Sequence, residues 1–388
     1  MNKDQLNLIC VDDDEFMLKA LARLIRRLRP EWGAFFYSDP LTWQEQWKSE
    51  SSDLPAIFIS DMLMPKKRGD ELLEDVKYIF PQAVRVLLTG DTTQGLSQKA
   101  HDFAHYVIPK PFTQDDFEHL FTSAERLYKL PFNHECRARL GGFTSLPVLP
   151  NTVIDLRETI ASPEGDINAI ANVVSHEPAL VARIFQLANS PFLGFRRHTD
   201  SLAEAVSRLG ATLVETLAVS LLLKIPGDRV PESVHRKIAE EALALGSVAR
   251  MLAKALGRSL HEQDKVFVAS LLTSIGSLVL LEEGVEQSDL SHCYGLEEKY
   301  DDDHVVAAYV LILWGYDIEL GEIILNQNTV NFSSDQHIVE LASIVGAASY
   351  LKQCQTQLER DTFIGNQPIS VQDALNEIVL TLLDEVTH

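Results

Sequence analysis

The stretch that decides the fold of the N-terminal region is Ala56 to Pro65, Ala-Ile-Phe-Ile-Ser-Asp-Met-Leu-Met-Pro. A short apolar run ends in one carboxylate, Asp61, and a proline follows four residues later. Runs of this length are typical of strands that are buried on both faces of a parallel sheet. In open α/β sheets, functional groups lie beyond the carboxyl ends of the strands. The stretch therefore predicts a parallel sheet with a functional group at Asp61.

Three other apolar runs have polar residues at their ends. They are Leu6–Val11 before Asp12 and Asp13, Arg85–Leu88 before Thr89, and Tyr106–Ile108 shortly before Lys110. Segments with helical spacing lie between the runs, so strand and helix alternate five times. The apolar face of the first such segment is predicted to carry Phe16, Leu18, Leu21, Leu24, Ile25 and Leu28. This alternation predicts a doubly wound α/β sheet of five parallel strands, in which all four polar positions lie at one edge.

The polar residues suit phosphoryl transfer. Asp12, Asp13 and Asp61 would place like charges close together, which is unfavourable unless a cation neutralises them, and carboxylate oxygens suit Mg²⁺. With the cation bound, Asp61 could act as a nucleophile and form an acyl phosphate. Lys110 offers a positive charge to one phosphate oxygen, and the Thr89 hydroxyl can donate a hydrogen bond to another.

In this order the motifs resemble the receiver domain of bacterial two-component response regulators. The matching positions are Val11-Asp12-Asp13, Asp61 with Met64, Pro65 and Gly69, Thr89-Gly90, and Lys110-Pro111-Phe112. The resemblance implies a flavodoxin-like fold, Asp61 as the phosphorylated residue, and a sensor histidine kinase as phosphate donor. It also implies Mg²⁺ bound directly by Asp13, through water by Asp12, and by Asp61 and the main-chain carbonyl of Leu63. Asp14 is then expected to cap the first helix.

Two positions depart from the receiver pattern. The family commonly has an aromatic residue three positions before the lysine, and this chain has Val107 there, with Tyr106 one place earlier. Arg68 stands where a small or acidic residue is common. The departures put the usual aromatic switch in question, whereas the phosphorylation motif itself is intact.

Composition sets limits on the whole chain. Its 388 residues predict two or three domains, and its formal charge of −22 opposes nonspecific binding to nucleic acid or anionic lipid. The sequence has no secretion-signal pattern and no uninterrupted apolar stretch of membrane-spanning length. Four isolated cysteines, without Cys-x-x-Cys spacing, predict ordinary thiols in a reducing compartment. We therefore expect a cytoplasmic protein without a nucleic-acid or membrane partner.

Beyond residue 130 the strand signals stop and helical periodicity continues, for example at 178–188, 211–224, 264–281 and 371–386. Part of this region resembles the HDOD domain, an all-α relative of the HD metal-dependent phosphohydrolases. The residues that carry the resemblance are Leu146-Pro147-Val148-Leu149-Pro150, Ile170–Val174, His176-Glu177-Pro178-Ala179-Leu180, Arg183–Ser190, and Ser201-Leu202 through Leu209-Gly210. The predicted organisation is a receiver at 1–130, a linker at 131–137, an all-α HDOD domain at 138–332, and a C-terminal helical extension at 333–388.

The helical domain is not expected to hold a metal. HD phosphohydrolases need His and Asp ligands that hold a metal and activate water. Where the central pair would be expected, this chain has Leu271-Leu272-Thr273-Ser274, and Asn326-Gln327-Asn328 offers amides further on. Asp303-His304 is an adjacent pair, but it suits the start of a helix, and His176 suits a loop or cap.

Three functions remain open at this stage. The first is a response regulator with a noncatalytic HDOD output that binds another signalling protein, such as a cyclic-dinucleotide enzyme or a kinase. The second makes the output a metal-dependent phosphohydrolase, and the third makes the chain a DNA-binding transcriptional regulator. Residues 201–224 imitate a helix-turn-helix, although Leu213 to Leu223 is mostly aliphatic and lacks the basic and amide groups that read a groove. The sequence leaves the stimulus and a homodimeric state open.

Overall fold

The computed structural model describes most of the chain. The described residues are 6–50, 54–90, 103–130, 132–142, 150–162, 165–189, 197–222, 230–283, 302–314, 318–328, 335–354, 356–367, 371–376 and 378–379. Several predictions fall outside these ranges. They concern the Leu146–Leu149 motif, Ser190, the end of the 211–224 helix, and half of the helix predicted at 371–386.

Five parallel strands form the N-terminal sheet, as the sequence predicts. They are β1 (Asn7–Val11), β2 (Gly33–Tyr37), β3 (Ile57–Asp61), β4 (Val84–Thr89) and β5 (Tyr106–Pro109). Their order in the sheet is β2-β1-β3-β4-β5, and every neighbouring pair is parallel. This is the flavodoxin-like doubly wound order, in which the direction of strand addition reverses between β1 and β3. The predicted α/β fold is confirmed.

Four described helices flank the sheet. They are α1 (Glu15–Leu28), α2 (Trp43–Glu50), α3 (Gly69–Ile79) and α4 (Gln114–Lys129). Asp14 caps α1 by accepting from the amides of Phe16 and Met17, as predicted. The sequence pattern placed Phe16 on the apolar face of α1, but its side chain is 83% exposed. Phe16, in the first turn of α1, therefore does not belong to the core.

The rest of the described chain is helical. The helices are α5 (His134–Gly141), α6 (Pro150–Ala161), α7 (Ile167–Ser175), α8 (Pro178–Ala188), α9 (Leu202–Leu209), α10 (Ala211–Leu222), α11 (Glu232–Ala255), α12 (Leu260–Glu283), α13 (Asp302–Leu313), α14 (Ile318–Leu325), α15 (Gln336–Gln353) and α16 (Gln357–Gly365). Asp166 and Ser201 cap α7 and α9 through their side chains. The all-α second half is confirmed.

Helix α12 forms the centre of the helical part. Among the described helices, it is the one whose length and apolarity would allow it to cross a membrane. However, 72% of its most apolar 18-residue window is buried inside the protein. Helices that are apolar all round are typical of large protein cores as well as of membranes. The burial identifies α12 as a core helix.

The sheet and the helical part share one hydrophobic core. A single cluster of buried residues runs from the α1 and α4 side of the sheet through α5 into α12 and α13. Phe132 and Tyr309 meet edge-to-face across the junction, with ring centroids 5.2 Å apart and an interplanar angle of 81°. Gly141 lies so close to the sheet domain that an added Cβ would meet the Pro81 carbonyl oxygen at 2.0 Å. The two parts are therefore packed directly on each other.

The cysteines differ from the prediction of ordinary thiols. Cys10 and Cys354 are free, whereas Cys136 at the start of α5 is disulfide-bonded. The spacing of isolated cysteines along the chain does not reveal which of them the fold brings together. The prediction of four thiols is therefore wrong at Cys136.

Candidate functional site

The register of the sheet brings the predicted polar residues to one edge. Val11 is paired with Ser60, Asp61 with Leu88, and Thr89 with Pro109. Asp12, Asp61, Thr89 and Lys110 therefore stand at or next to the carboxyl ends of four neighbouring strands. The sequence placed these residues at the ends of apolar runs, and the parallel register makes those ends coincide.

Three carboxylates meet at this edge. Oxygen atoms of Asp12, Asp13 and Asp61 lie within 4.8 Å of one another, close enough to hold a single metal ion. Asp12 is 2% exposed and Asp61 8%, whereas Asp13 is exposed to solvent. Two of the three carboxylates are thus buried, and the third, that of Asp13, is open to solvent. This geometry allows a small cation and a phosphate donor to reach it from outside.

Lys110 completes the cluster from β5. Its Nζ donates to Oδ1 of Asp61 at 2.6 Å and to Oδ2 of Asp12 at 3.1 Å. The main-chain amide of Leu63 donates to the other Asp61 oxygen, Oδ2, at 2.8 Å. Asp61 is therefore held by two donors, which orient both of its oxygens. One positive charge among three carboxylates leaves a net negative pocket.

The glycine after this loop permits the close approach. Gly69 donates its amide to the Met62 carbonyl at 3.0 Å. An added Cβ at this position would lie 2.0 Å from the Asp61 main-chain oxygen, which is far inside any allowed contact. A side chain at position 69 would therefore push α3 away from the end of β3 and displace Asp61.

Burial, hydrogen bonds and neighbouring charges shift the pKa values of Asp12 and Lys110. Burial raises the pKa of Asp12, although a hydrogen bond from the Asp14 amide and the charge of Lys110 act in the opposite direction. Burial alone would lower the pKa of Lys110, but the hydrogen bond to Asp61 and the charges of Asp12 and Asp61 outweigh it, so this pKa is raised. Lys110 is therefore charged at neutral pH and partly balances the carboxylates.

Thr89 and Leu63 occupy the places that the sequence predicts. Thr89 ends β4, is 2% exposed, and accepts the Lys110 amide with its main-chain oxygen at 2.7 Å. Leu63 follows Asp61 in the β3–α3 loop, and its side chain is 61% exposed. The roles of the Thr89 hydroxyl and the Leu63 carbonyl remain predictions, because they concern a phosphoryl group and a metal ion.

The two departures from the receiver pattern have clear positions. Val107 and Tyr106 are both buried in β5, but they belong to cores on opposite faces of the sheet. The Tyr106 hydroxyl donates to the Ile312 carbonyl in α13 at 2.9 Å. Arg68 pairs with Asp70 at 3.1 Å, so its charge is partly balanced next to the site.

The residues present suit Mg²⁺. Hard divalent cations prefer oxygen ligands, and the cluster offers carboxylate oxygens from three residues at one point. Within the described residues it is the one group of three or more His, Cys, Asp or Glu side chains with ligand atoms this close. The negative charge that Lys110 leaves unbalanced also favours a cation.

Nothing in the local sequence singles out Arg85 on β4 as a functional residue. Its side chain is completely buried, and no carboxylate among the described residues pairs with it. Its guanidinium donates to the carbonyls of Phe103 at 2.7 Å and Gly141 at 3.1 Å, and lies 2.8 Å from Nε2 of His105. Burial lowers the pKa of Arg85 to about 9, which still leaves it charged at neutral pH. Arg85 therefore links the strand that ends at Thr89 to helix α5.

In the helical half, the positions compared with the phosphohydrolases carry hydroxyls. Thr273 and Ser274 lie on α12 and bond to carbonyls of their own helix at 2.8 and 2.6 Å. With Asp303 and His304 at the start of α13, they line a cavity of about 430 Å³. His176 caps the end of α7, with Nδ1 2.7 Å from the Asn172 carbonyl. These positions agree with the predicted helix-start and cap roles.

The segment that imitates a helix-turn-helix is part of the core. Val214, Leu217 and Ala218 in α10 have no exposed surface. Glu215 on the same helix pairs with Arg157 at 2.8 Å. A recognition helix must expose its reading face to a DNA groove, so these contacts oppose that function for α10.

A family model for the HDOD domain matches residues 146–316. Residues 146–316 are an HDOD domain. The N-terminal domain has the receiver fold, with the strand order and site described above. The chain therefore has the domain composition of a response regulator with an HD-related output.

Relatives of known structure or sequence cover parts of the chain. The MmoQ response regulator from Methylococcus capsulatus is 19% identical and has a TM-score of 0.44, over 56% of this chain and 91% of that one. The signal receiver domain of an HD domain-containing protein from Pseudomonas fluorescens is 24% identical with a TM-score of 0.29, over 32% and 97%. An uncharacterized protein of Treponema pallidum is 27% identical over 137 residues, 34% of this chain. The match spans only 26% of that relative's length.

Proposed function

We propose that this chain is a phosphorelay response regulator in which Asp61 accepts a phosphoryl group from a sensor histidine kinase. The observation that carries the proposal is the meeting of Asp12, Asp13 and Asp61 with Lys110 at one open edge of the sheet. A nucleophilic carboxylate needs orientation and balancing positive charge, and both are present at Asp61.

The residues divide the chemistry between them. An Asp61 oxygen attacks phosphorus, the bond from phosphorus to the donor's histidine nitrogen breaks, and that nitrogen keeps the electron pair. Asp12, Asp13, Asp61 and the Leu63 carbonyl would hold Mg²⁺, which balances the charge of the carboxylates and of the incoming phosphoryl group. Lys110 Nζ and the Thr89 hydroxyl would then bind phosphoryl oxygens, so Lys110 moves from Asp61 to the new group.

The entrance to the site suits a protein donor. Phe16 follows Asp13 in the first turn of α1, Leu63 follows Asp61 in the loop after β3, and their side chains are 83% and 61% exposed. Large apolar side chains that face solvent around a functional site are typical of protein-binding surfaces. A histidine-bearing domain could cover both side chains while its imidazole reaches Asp61.

The proposed output is noncatalytic binding by the HDOD domain. Hydroxyls in place of imidazole and carboxylate ligands support this, because Thr273 and Ser274 bond within their own helix. The downstream partner would be a signalling protein such as a cyclic-dinucleotide enzyme or a kinase. The proposal includes a cytoplasmic location and no nucleic-acid partner, in line with the formal charge of −22.

The test is labelling with radioactive acetyl phosphate in the presence and absence of Mg²⁺. Wild-type protein should be labelled only with Mg²⁺, and hydroxylamine should remove the label, because it cleaves acyl phosphates. Asp61→Asn should lose at least about 95% of the label, since an amide is not a nucleophile of this kind.

Asp75→Asn is the matched control, because Asp75 is an exposed receiver aspartate that pairs with Lys67. It should be labelled like the wild type. Full labelling of Asp61→Asn would refute the assignment. Metal analysis of the full chain after stripping and reloading with iron, manganese or zinc tests the output. A stoichiometric metal retained after Asp12, Asp13 and Asp61 are all replaced by asparagine would contradict a noncatalytic HDOD domain.

A further inference from the structure

Tyr106 connects the two domains at the strand that carries Lys110. It is the first residue of β5, and its side chain faces the α1 and α4 side of the sheet. Val107, at the position where receivers commonly have their aromatic residue, faces the other core. Because neighbouring side chains of a strand point to opposite faces, Tyr106 cannot move within the space of Val107. It has a different task.

That task is visible at the end of helix α13. The Tyr106 hydroxyl is buried and donates to the Ile312 carbonyl at 2.9 Å. Ile312 belongs to the last turn of α13, whose four final carbonyls receive no amide from the helix itself. The receiver therefore supplies a side-chain donor that caps a helix of the HDOD domain.

Strand β5 joins this cap to the phosphorylation site. Tyr106 and Lys110 lie at opposite ends of the strand, roughly 13 Å apart at about 3.3 Å per residue. The Lys110 amide is fixed to the Thr89 carbonyl at 2.7 Å, and Val86 is paired with Tyr106 along β4. A displacement of Lys110 toward a phosphoryl group thus acts on a short, paired strand whose other end holds α13.

The opposite end of α13 lies against the cavity in the HDOD domain. Asp303 accepts a hydrogen bond from the Ser277 hydroxyl at 3.0 Å, and an added Cβ on Gly276 would meet the Asp303 carbonyl oxygen at 1.8 Å. Asp303 and His304 line the cavity of about 430 Å³. Helix α13 is therefore held by the receiver at one end and forms part of an HDOD cavity at the other.

We propose that Tyr106 is a positioning residue that couples Asp61 to the HDOD domain by capping α13. The proposal rests on the proposed phosphorylation of Asp61. In the unphosphorylated protein the cap holds the last turn of α13, and movement of β5 on phosphorylation changes the cap and shifts α13 against the cavity.

The test is hydrogen–deuterium exchange of the full chain, read in peptides from α13, with and without acetyl phosphate and Mg²⁺. The variant Tyr106→Phe removes only the hydroxyl. Tyr37→Phe is the matched control, because the buried Tyr37 hydroxyl donates to Oε2 of Glu50 at 3.0 Å, within the receiver. Mass spectrometry of the same samples measures phosphorylation of Asp61.

Without phosphate donor, Tyr106→Phe should speed exchange in the last turn of α13 by roughly fivefold, the effect of losing one hydrogen bond, and Tyr37→Phe should leave it unchanged. With donor, α13 exchange should change in the wild type and in Tyr37→Phe but not in Tyr106→Phe, at equal phosphorylation. Equal α13 responses in all three proteins would overturn the coupling. A wild type that is not phosphorylated would overturn the proposed function and with it the coupling, whereas the exchange without donor would still decide whether Tyr106 caps α13.

Discussion

At the scale of single residues, one ammonium group, that of Lys110, contacts two of the three clustered carboxylates. Asp12, Asp13, Asp61 and Lys110 each stand at the end of an apolar run, and parallel pairing forces such ends to one edge. The site could therefore be predicted. The contact of Tyr106 with Ile312, 206 positions along the chain, could not, because nothing local to β5 encodes which helix packs on it.

Lys110 balances negative charge at the site. The loss of stability on removing its side chain should therefore depend on whether Mg²⁺ is bound. Its ammonium contacts both Asp12 and Asp61. In Lys110→Ala without Mg²⁺, we expect a loss of about 1–2 kcal/mol of unfolding free energy, since buried carboxylates lose a charged partner. Saturating Mg²⁺ should restore most of this loss, so the variant should gain more stability from Mg²⁺ than the wild type gains.

Urea unfolding at several Mg²⁺ concentrations measures this difference. Lys66→Ala is the control, because Lys66 pairs with Asp39 at 2.6 Å and its side chain is 56% exposed. An equal Mg²⁺ effect in Lys110→Ala and wild type would show that Lys110 does not share the cation's role.

His105 predicts a pH dependence of stability. Burial, and then the charge of Arg85, hold its pKa well below 6.5. The unfolded chain therefore binds more protons than the folded protein below about pH 6.5, so the contribution of His105 is complete above that pH and is lost as the pH falls. The loss approaches about 1.4 kcal/mol per pH unit for one proton.

The variant His105→Asn keeps an acceptor near the Arg85 amide but does not titrate. Its unfolding free energy should be lower at pH 7 yet depend less on pH between about 5 and 6.5. His134→Asn, at an exposed position on α5, serves as control. If the unfolding free energies of His105→Asn and wild type depended equally on pH, His105 would not be the source of this pH dependence.

At the scale of elements, periodicity predicted the helices and strands well but not how closely they pack. Pro178–Ala188 was predicted with the bounds that the structure shows, and helix α12 extends a few residues beyond the predicted 264–281 at both ends. Strand and helix ends follow from local caps and prolines. The distance between two helices depends on small residues whose partners are far away in sequence, such as Gly276 against Asp303.

Gly276 therefore supplies the prediction at this scale. An alanine in the middle of α12 would gain about 1 kcal/mol of helix propensity. Its Cβ, however, would lie 1.8 Å from the Asp303 carbonyl oxygen and 2.6 Å from its carbon, and this backbone cannot rotate away. We expect Gly276→Ala to lower the unfolding free energy by about 1–3 kcal/mol through overpacking between α12 and α13.

Thermal unfolding followed by circular dichroism measures the change. Gly365→Ala at the end of α16 is the control, because an added Cβ there meets no atom within 4 Å. It should be neutral or slightly stabilising. An unchanged stability of Gly276→Ala would mean that α13 moves freely against α12. In that case α13 would not transmit a movement of its Tyr106-capped end to the HDOD cavity.

For the whole molecule, the junction between receiver and HDOD domain is a buried hydrogen-bonded joint. Arg137 in α5 is 6% exposed, and its guanidinium donates to the carbonyls of Phe132 at 3.0 Å, Leu130 at 2.7 Å and Tyr128 at 3.1 Å, and also to that of Leu127. These carbonyls lie at and after the end of α4, where the helix supplies no amides. One side chain thus satisfies the end of the last receiver helix from the first helix that follows it.

The variant Arg137→Met should make the two domains unfold separately. It keeps most of the side-chain volume but leaves buried carbonyls without donors, at a cost of about 1–3 kcal/mol for each one that water does not reach. That loss falls at the joint, so the receiver and the HDOD domain should no longer share one unfolding transition.

Three of the four tryptophans, Trp32, Trp43 and Trp47, lie in the receiver, so fluorescence follows that domain, while circular dichroism follows mainly the helical HDOD domain. In wild type and in the control Arg139→Met, whose side chain is exposed on the same helix, both signals should change at one urea concentration. In Arg137→Met the fluorescence and dichroism midpoints should differ. Coincident midpoints in that variant would mean that the apolar core across Phe132 and Tyr309 holds the domains together without Arg137.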